Sequence, residues 1–309
     1  MSKQNKPPKF HHYVPKTYLK HWLDEDDLIY IYDKKSGKIR PSSINGQYFG
    51  KNNLNTITYP DNTKGYWVET AYAELECKIS PALNKIAASL LSGHSDITHE
   101  DKLMLSLFIS AQFWRLPTNK GLVKDLIESG DFSDIGLSVT NSNTREKLSS
   151  DETASFYSDI TSTDLFQKAY PALRPLLDMT KENAFDALRD WSFYYQHPGF
   201  NLTSDNPILY FTEPTTSSIL SDFILPLSPG VLLISKEFPP DTLDSSMSTD
   251  LNILQVCHAN QFIAGTNETY LRSLADEYEQ NFQNIPLEEV EKYVYDKILK
   301  TSHNLIRKY

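Results

Sequence analysis

The chain has 309 residues, of which 39% are hydrophobic and 12% aromatic, so it can bury a sizeable core and is not a disordered protein. Its formal net charge of −10 argues against non-specific coating of DNA, which depends on many phosphate contacts. Two cysteines exclude a disulfide framework, and without an apolar leader or a bilayer-length apolar run we expect a cytoplasmic protein with no membrane partner.

The charge is unevenly distributed along the chain. Residues 1–51 contain ten Lys or Arg and five Asp or Glu, a net of +5, so the remaining residues sum to −15. Residues 1–9 have the lysine-rich, polar composition of a disordered arm. This basic N-terminus leaves a nucleic-acid partner open, although a solvated lysine-rich tail is the commoner explanation.

The stretch 10–23, FHHYVPKTYLKHWL, is dense in histidine and aromatic residues. Pro15 suits the first turn of a helix that runs to Leu23. One face of this helix carries Tyr18, Leu19 and Trp22. His11 and His12 precede it in extended chain, where neighbouring side chains point to opposite sides, so one of them at most faces a given metal ion.

Three β segments are predicted next. Residues 28–33 alternate in hydrophobicity, Gly37 supplies a turn, and residues 38–44 return as the second strand of a hairpin. A third strand is predicted over 54–59.

Residues 66–91 form the longest predicted helix. One of its faces carries Glu69, Tyr72, Glu76, Ile79, Leu83, Ile86 and Leu90. The last four are an ordinary core stripe, but Glu69 and Glu76 occupy positions that are normally apolar. A buried carboxylate without a partner is costly, so each needs a metal ion, a cation or a hydrogen-bond donor. They lie two helical turns apart, roughly 10 Å, and a salt bridge to Arg115 is the alternative to a metal.

The following helix is predicted over 101–116, with Thr98 as its cap and Pro117 as its stop. Gln112 and Arg115 are three residues apart and are therefore neighbours on its surface. Residues 129–151 are predicted as a long loop, and 152–169 and 180–190 as helices.

The C-terminal third contains short aromatic or β-branched runs separated by Pro and Gly, which predict a small, largely antiparallel sheet. The runs are WSFYYQ, NLTS, ILYFT, FILPL and VLLIS; helices over 246–259, 269–282 and 287–308 and a strand over 261–265 complete the prediction. The order of elements favours an α+β fold, with a helical centre, an N-terminal β-hairpin and a small C-terminal antiparallel sheet. We expect a single domain over 10–309, with 129–165 as an excursion.

Standard catalytic motifs are absent: no phosphate-binding glycine loop, dinucleotide fingerprint, HExxH or GxSxG occurs. The segment NLTSDNP ends a predicted strand. Asp205 lies where catalytic acids often occur, whereas Asn206 suits an Asx-turn before Pro207.

Five short elements together resemble the bacterial domain-of-unknown-function family 4238. They are HHYVP with Tyr18-Leu19, the acidic helix with Glu69 and Glu76, Gln112-x-x-Arg115-x-Pro117, TSDNP at 203–207 and PLSP at 226–229. The resemblance covers about residues 10–265 and is lost over the 129–165 excursion. It implies a role in defence against phage, with a phage component as the trigger.

The first functional hypothesis is a metal-dependent nuclease or phosphodiesterase acting on nucleic acid. A divalent metal ion, Mg²⁺ or Mn²⁺, would activate water, a histidine would act as ligand or general base, and an arginine would clamp a phosphate oxygen. The proposed metal ligands are Glu69, Glu76 and Asp205, and the proposed catalytic residues are His11, His12, Gln112, Arg115 and Asn206.

Two alternatives stay open. In one, the chain is a non-enzymatic sensor or binding protein, and the same polar cluster is a buried network that holds the N-terminal segment on the helices. In the other, a nucleotide-modifying transferase or hydrolase uses Arg115 and Asp205 on a soluble nucleotide. No pattern in the sequence assigns an oligomeric state.

Overall fold

The structure is a computed structural model of the chain. It describes residues 9–91, 97–128, 140–141, 143–161, 163–179, 191–195, 200–215, 218–235 and 245–306. The predictions of an arm over 1–9 and of a helix over 180–190 therefore fall almost wholly outside the described residues.

The N-terminal part is built from short strands around one short helix. Pro15 precedes the helix in extended conformation, and the chain continues as a 3₁₀ turn over Lys20–Trp22. Gly37 adopts a φ of +63° between two strands, as the predicted hairpin requires. The elements are β1 (Phe10–His12), α1 (Lys16–Leu19), β2 (Ile29–Asp33), β3 (Lys38–Ser42), β4 (Gly50–Asn52), β5 (Ile57–Thr58) and β6 (Lys64–Gly65).

Helices make up the centre of the molecule. The predicted cap at Thr98 is present as a capping box, in which the Thr98 side chain accepts the Asp101 amide and the Asp101 carboxylate accepts the Thr98 amide. The third helix packs against the second and the sixth. The helices here are α2 (Trp67–Leu91), α3 (His99–Arg115), α4 (Lys120–Glu128), α5 (Ser150–Thr161) and α6 (Asp164–Asp178).

The C-terminal part returns to strands and then to helices, as predicted. Its elements are β7 (Ser192–Tyr195), β8 (Thr203–Ser204), β9 (Leu209–Tyr210), β10 (Phe223–Ser228), β11 (Val231–Ile234), α7 (Ser245–His258), β12 (Phe262–Gly265), α8 (Glu268–Glu277) and α9 (Leu287–Ile306). All strand pairs between these elements are antiparallel. The α+β class is confirmed.

The sheets connect distant parts of the chain. One four-stranded sheet has the order β7-β11-β10-β9 and corresponds to the predicted C-terminal sheet. The other has the order β3-β2-β12-β8, so β12 lies between the N-terminal hairpin and β8. The hairpin is thus part of a sheet shared with the C-terminal third.

The core stripe of α2 is confirmed where the structure describes it. Tyr72, Ile79, Leu83 and Ile86 are buried, whereas the side chain of Leu90 lies outside the described set. Along α3, burial includes the polar residues Ser106, Ser110, Gln112 and Arg115. The three helical residues expected on one face of the N-terminal segment, Tyr18, Leu19 and Trp22, are fully buried. Among the described residues no helix is long and apolar enough to cross a bilayer.

Candidate functional site

The first strand places its two histidines on opposite sides, as an extended segment must. The His11 side chain is 0% exposed, whereas His12 is half-buried. Strand β1 pairs with β4, in register so that His11 lies opposite Lys51.

His11 belongs to a chain of hydrogen bonds that ends at α2. Its Nδ1 accepts the backbone N–H of Asn55 at 2.9 Å, and the Asn55 side chain donates to Glu69 Oε2 at 2.7 Å. Glu69 Oε2 also lies 3.6 Å from His11 Nδ1. Nδ1 uses its lone pair to accept the amide N–H of Asn55. The Glu69 carboxylate is therefore connected to His11 through Asn55 and not by a direct ion pair.

Arg115 connects α3 with both α2 and the first strand. Its Nη1 donates to Glu76 Oε1 at 2.7 Å, and its Nη2 donates to the carbonyl of His12. The guanidinium lies over the ring of Tyr72, 4.5 Å from the centroid. Glu76 is 22% exposed and Arg115 is 3% exposed at the side chain. The salt bridge foreseen as an alternative to metal binding is therefore present.

Gln112 supports the same segment one turn earlier on α3. Its Nε2 donates to the carbonyl of Tyr13 at 3.1 Å. Arg115 and Gln112 thus bind the consecutive carbonyls of His12, the last residue of β1, and of Tyr13, which follows it. The sequence predicted Gln112 and Arg115 to be neighbours at a phosphate-binding site. In the structure they bind the N-terminal backbone instead.

His12 is neutral at physiological pH. Burial lowers the pKa of His12 to about 4, with help from the charges of Lys16 and Arg115 and against a hydrogen bond to the backbone of Gly46. Its Nε2 is buried and has no hydrogen-bond partner among the described residues. A neutral imidazole nitrogen of this kind has a lone pair that can accept a proton.

Asp205 has a local structural role at the edge of the second four-stranded sheet. Its two carboxylate oxygens accept the backbone N–H groups of residues 260, 261 and 262 at 2.8, 2.8 and 3.2 Å. Burial raises the pKa of Asp205, and these three amides oppose that effect. The carboxylate joins the turn after α7 to the end of β8.

Asn206 lies apart from the residues that surround the first strand, in a separate polar contact with His258. Its backbone N–H donates to Ser204 Oγ at 3.0 Å, a turn closed by the serine hydroxyl and not the predicted Asx-turn on Asn206. The Asn206 side-chain amide instead lies 2.8 Å from His258 Nδ1. Burial lowers the pKa of His258 to about 4. Glu291 Oε1 is 3.7 Å from His258 Nε2, too distant to keep a proton on the buried ring.

The predicted metal ligands do not assemble around one point. Glu69 is bound by Asn55, Glu76 by Arg115, and Asp205 by backbone amides. Within the described ranges, no group of three or more His, Cys, Asp or Glu side chains is arranged to hold a metal ion. Metal binding at these residues stays a prediction.

A pocket of about 230 Å³ lies beside Arg115, between α2, α3, α4 and α6. Four basic residues and one acid line it: Arg115, Lys120, Lys124, Lys168 and Asp164. Lys168 is paired with Asp164 at 2.7 Å and also donates to the carbonyl of Thr56. Sequence reasoning missed the lysines, because Lys120 and Lys124 at i,i+4 spacing read as an ordinary solvated helix face.

Two buried polar atoms at this pocket have no hydrogen-bond partner in the part of the chain that the structure describes. They are Tyr72 Oη and Arg115 Nε. Both side chains line the pocket, and the two residues are 3% and 6% exposed. Native proteins rarely leave such groups unsatisfied, and an unpaired donor at a cavity is a sign of a missing partner.

A second pocket of about 330 Å³ adjoins Asn206 and His258. Its lining combines Tyr210 and Phe211 with the acids Glu213, Glu288 and Glu291. It contains no basic side chain other than histidine, so its character is opposite to that of the pocket beside Arg115.

Comparison with known proteins gives one match. The model of the family described as "Protein of unknown function (DUF4238)" matches residues 11–269. Searches of curated proteins and of solved structures give no match.

Proposed function

The chain belongs to the DUF4238 family, and from its own site we propose that it is a non-enzymatic binding protein. In this proposal the polar cluster of Asn55, Glu69, Glu76 and Arg115 is a scaffold. It holds the first strand on α2 and α3 and forms one wall of the pocket beside Arg115.

One observation carries the proposal: the acids expected to bind a metal are already bound by protein groups. Glu76 meets the guanidinium of Arg115 at 2.7 Å, and Glu69 meets the amide of Asn55 at 2.7 Å. A metal ion would have to displace both partners and leave a buried guanidinium without its counter-charge, which is costly.

Arg115 gives the scaffold a means of sensing. The same guanidinium lines the pocket and donates to the carbonyl of His12. A ligand that draws Arg115 toward the pocket therefore competes with the bond to the first strand. Such a ligand shifts the equilibrium between molecules in which Arg115 binds the first strand and molecules in which it does not. The size of the shift is set by the difference between the ligand's affinities for these two states.

The test of the scaffold is a set of thermal melts on Glu76→Gln and Glu69→Gln, each with and without Mg²⁺, Mn²⁺ and Zn²⁺. Glutamine keeps the shape but removes the charge, so we expect Glu76→Gln to lower the free energy of unfolding by about 1 to 3 kcal/mol. Neither wild type nor variant should gain stability from a metal ion.

Glu74→Gln is the matched control, because Glu74 is an exposed acid on the same helix. It should melt like wild type. A metal-dependent rise in the melting temperature of wild type that is lost in Glu69→Gln would refute the scaffold proposal and favour a metal site.

The metal-dependent nuclease is the second candidate, and the unpaired Nε2 of His12 is the observation that favours it. A neutral histidine with a free lone pair can accept a proton as a general base does, and its pKa of about 4 makes it a weak base at neutral pH. In this case His12→Ala abolishes cleavage of DNA or RNA in the presence of Mg²⁺ or Mn²⁺ while leaving the fold intact. Wild type without nuclease activity on either substrate would eliminate this candidate.

The resemblance adds a biological setting to either candidate. It supports a part in anti-phage defence, with a phage component as trigger. A plaque assay on bacteria that express wild type or Glu76→Gln tests this role, and equal plaquing on wild-type and empty-vector cells would count against it.

A further inference from the structure

We propose that the pocket beside Arg115 binds a small organic molecule that carries a phosphate group. This inference rests on the proposed binding function and names the class of ligand. It depends on three features of the pocket: its charge, its unpaired donors and its mixed lining.

The charge of the pocket opposes that of the whole protein. The chain has a net charge of −10, yet the pocket lining contains four basic residues and one acid. The Lys120 side chain makes no hydrogen bond or ion pair with the described residues. Partial burial, and after it the positive charges of Lys51 and Lys168, lower the pKa of Lys120, while the Asp164 carboxylate opposes them. Cations that crowd one another in this way are stabilised by an anion.

Two donors lie at the pocket wall without acceptors. Arg115 uses Nη1 and Nη2 for Glu76 and His12, which leaves its Nε–H. Burial raises the pKa of Tyr72 well above the physiological range, so its hydroxyl keeps its proton and can donate. A phosphate group offers several acceptor oxygens for these two donors and for the lysines of the lining.

The remaining lining indicates more than an inorganic anion. Polar and apolar atoms contribute about equally to the wall of the pocket. The apolar side chains are those of Leu54, Trp114, Leu116, Val123, Ile127 and Pro171. At about 230 Å³ the pocket is smaller than the ~300–1,000 Å³ typical of drug-sized ligands. A phosphate monoester whose phosphate end enters the pocket fits this combination.

The experiment measures thermal shift and calorimetric binding on the full chain with three probes: inorganic phosphate, adenosine monophosphate and adenosine. We expect adenosine monophosphate to raise the melting temperature by about 2 to 6 °C near saturation. Inorganic phosphate should bind more weakly and adenosine not measurably. Binding of inorganic phosphate as tight as that of the monoester would overturn the organic part of the proposal.

Two variants locate the site. Lys120→Gln removes one exposed cation, and Tyr72→Phe removes one unpaired hydroxyl. Each should weaken binding of adenosine monophosphate about five- to tenfold, the loss expected for one hydrogen bond or charge contact. Tyr72→Phe should leave the ligand-free protein as stable as wild type or more so, which a structural hydroxyl would not do. Lys38→Gln, at an exposed lysine of β3, is the matched control and should bind like wild type.

The outcomes separate this inference from the scaffold proposal. If no phosphate-bearing probe binds, or if all three variants bind equally, the phosphate site is refuted. The scaffold proposal is refuted independently, by a metal response that depends on Glu69. Tighter binding of adenosine than of its monophosphate would indicate an apolar pocket and also refute the inference.

Discussion

At the scale of single residues, two partly buried histidines, His12 and His258, give the protein a defined pH dependence. The pKa of His12 and that of His258 are each lowered by burial to about 4, against about 6.5 in an unfolded chain. Between these values the unfolded chain binds more protons than the native protein, so the free energy of unfolding falls as the pH falls. The stabilisation is present above pH 6.5 and is lost toward pH 4.

We therefore expect the melting temperature to fall between pH 7 and pH 5, with each histidine contributing up to about 2 kcal/mol over this interval. Melts of wild type, His12→Gln and His258→Gln across this range check the prediction, and each variant should show a shallower dependence. His99→Gln, at an exposed histidine, serves as control. An unchanged slope in both buried variants would show that other groups govern the acid transition.

Residue chemistry predicted part of the site correctly from sequence. A carboxylate in an apolar stripe needs a partner, and this argument gave the pairing of Glu76 with Arg115 as the alternative to a metal ion; the structure contains that pair at 2.7 Å. It did not foresee that Asp205 accepts three backbone amides from residues 260–262. That role depends on which strand lies beside the aspartate, and such pairing is not encoded in local spacing.

At the scale of elements, a buried ion pair within α6 is hydrogen-bonded to α3. Arg174 Nη2 meets Asp178 Oδ1 at 2.9 Å, and both side chains are almost fully buried. Asp178 Oδ2 accepts hydrogen bonds from Ser110 Oγ and Trp114 Nε1, each at 2.6 Å. The carboxylate therefore compensates a buried guanidinium and two donors of the neighbouring helix.

Asp178→Asn should lower the free energy of unfolding by about 3 to 5 kcal/mol, because it leaves the Arg174 charge buried without a counter-charge. Chemical denaturation measures this loss. Asp125→Asn, at an exposed acid of α4, should have little effect. A loss below about 1 kcal/mol, as at a solvent-exposed pair, would mean that the Arg174 charge finds another partner or reaches solvent.

Elements were predictable where their signals are local. The Thr98 capping box, the Gly37 turn and the stripe of α2 each depend on residues a few positions apart, and all three are present. The sheet that joins β2 to β12 was not predicted, because its partners are more than two hundred residues apart. The pocket was missed for the same reason: four helices and the 54–55 segment must meet before its lysines share a cavity.

At the scale of the whole molecule, the N-terminal segment is fastened to distant parts of the chain. Tyr18 donates its hydroxyl to the Pro226 carbonyl at 2.7 Å, and the Trp22 indole donates to the Asn201 carbonyl at 3.1 Å. Strand β2 also pairs with β12 along its length. These contacts predict that the N-terminal hairpin does not unfold separately from the C-terminal sheets.

Hydrogen exchange checks this prediction. We expect the amides of β2 and β12 to exchange through the same cooperative opening and to show similar protection, because each strand loses its ladder when the other leaves. Much faster exchange across β2 than across β12 would indicate that the hairpin opens independently. Exchange of the exposed turn at Lys35 and Ser36 provides the fast reference.

The pairing of β2 with β12 also has a consequence for synthesis on the ribosome. Ile31 of β2 pairs with Ala264 of β12. One edge of β2 therefore has no partner until Ala264 has been translated. At ~5–20 residues per second this interval is roughly 10 to 50 s. Throughout it the nascent chain presents the open edge of IYIYD, a sequence suited to pairing with another chain. The yield of folded protein in the cell should therefore depend on how quickly translation proceeds and on whether a chaperone covers that edge.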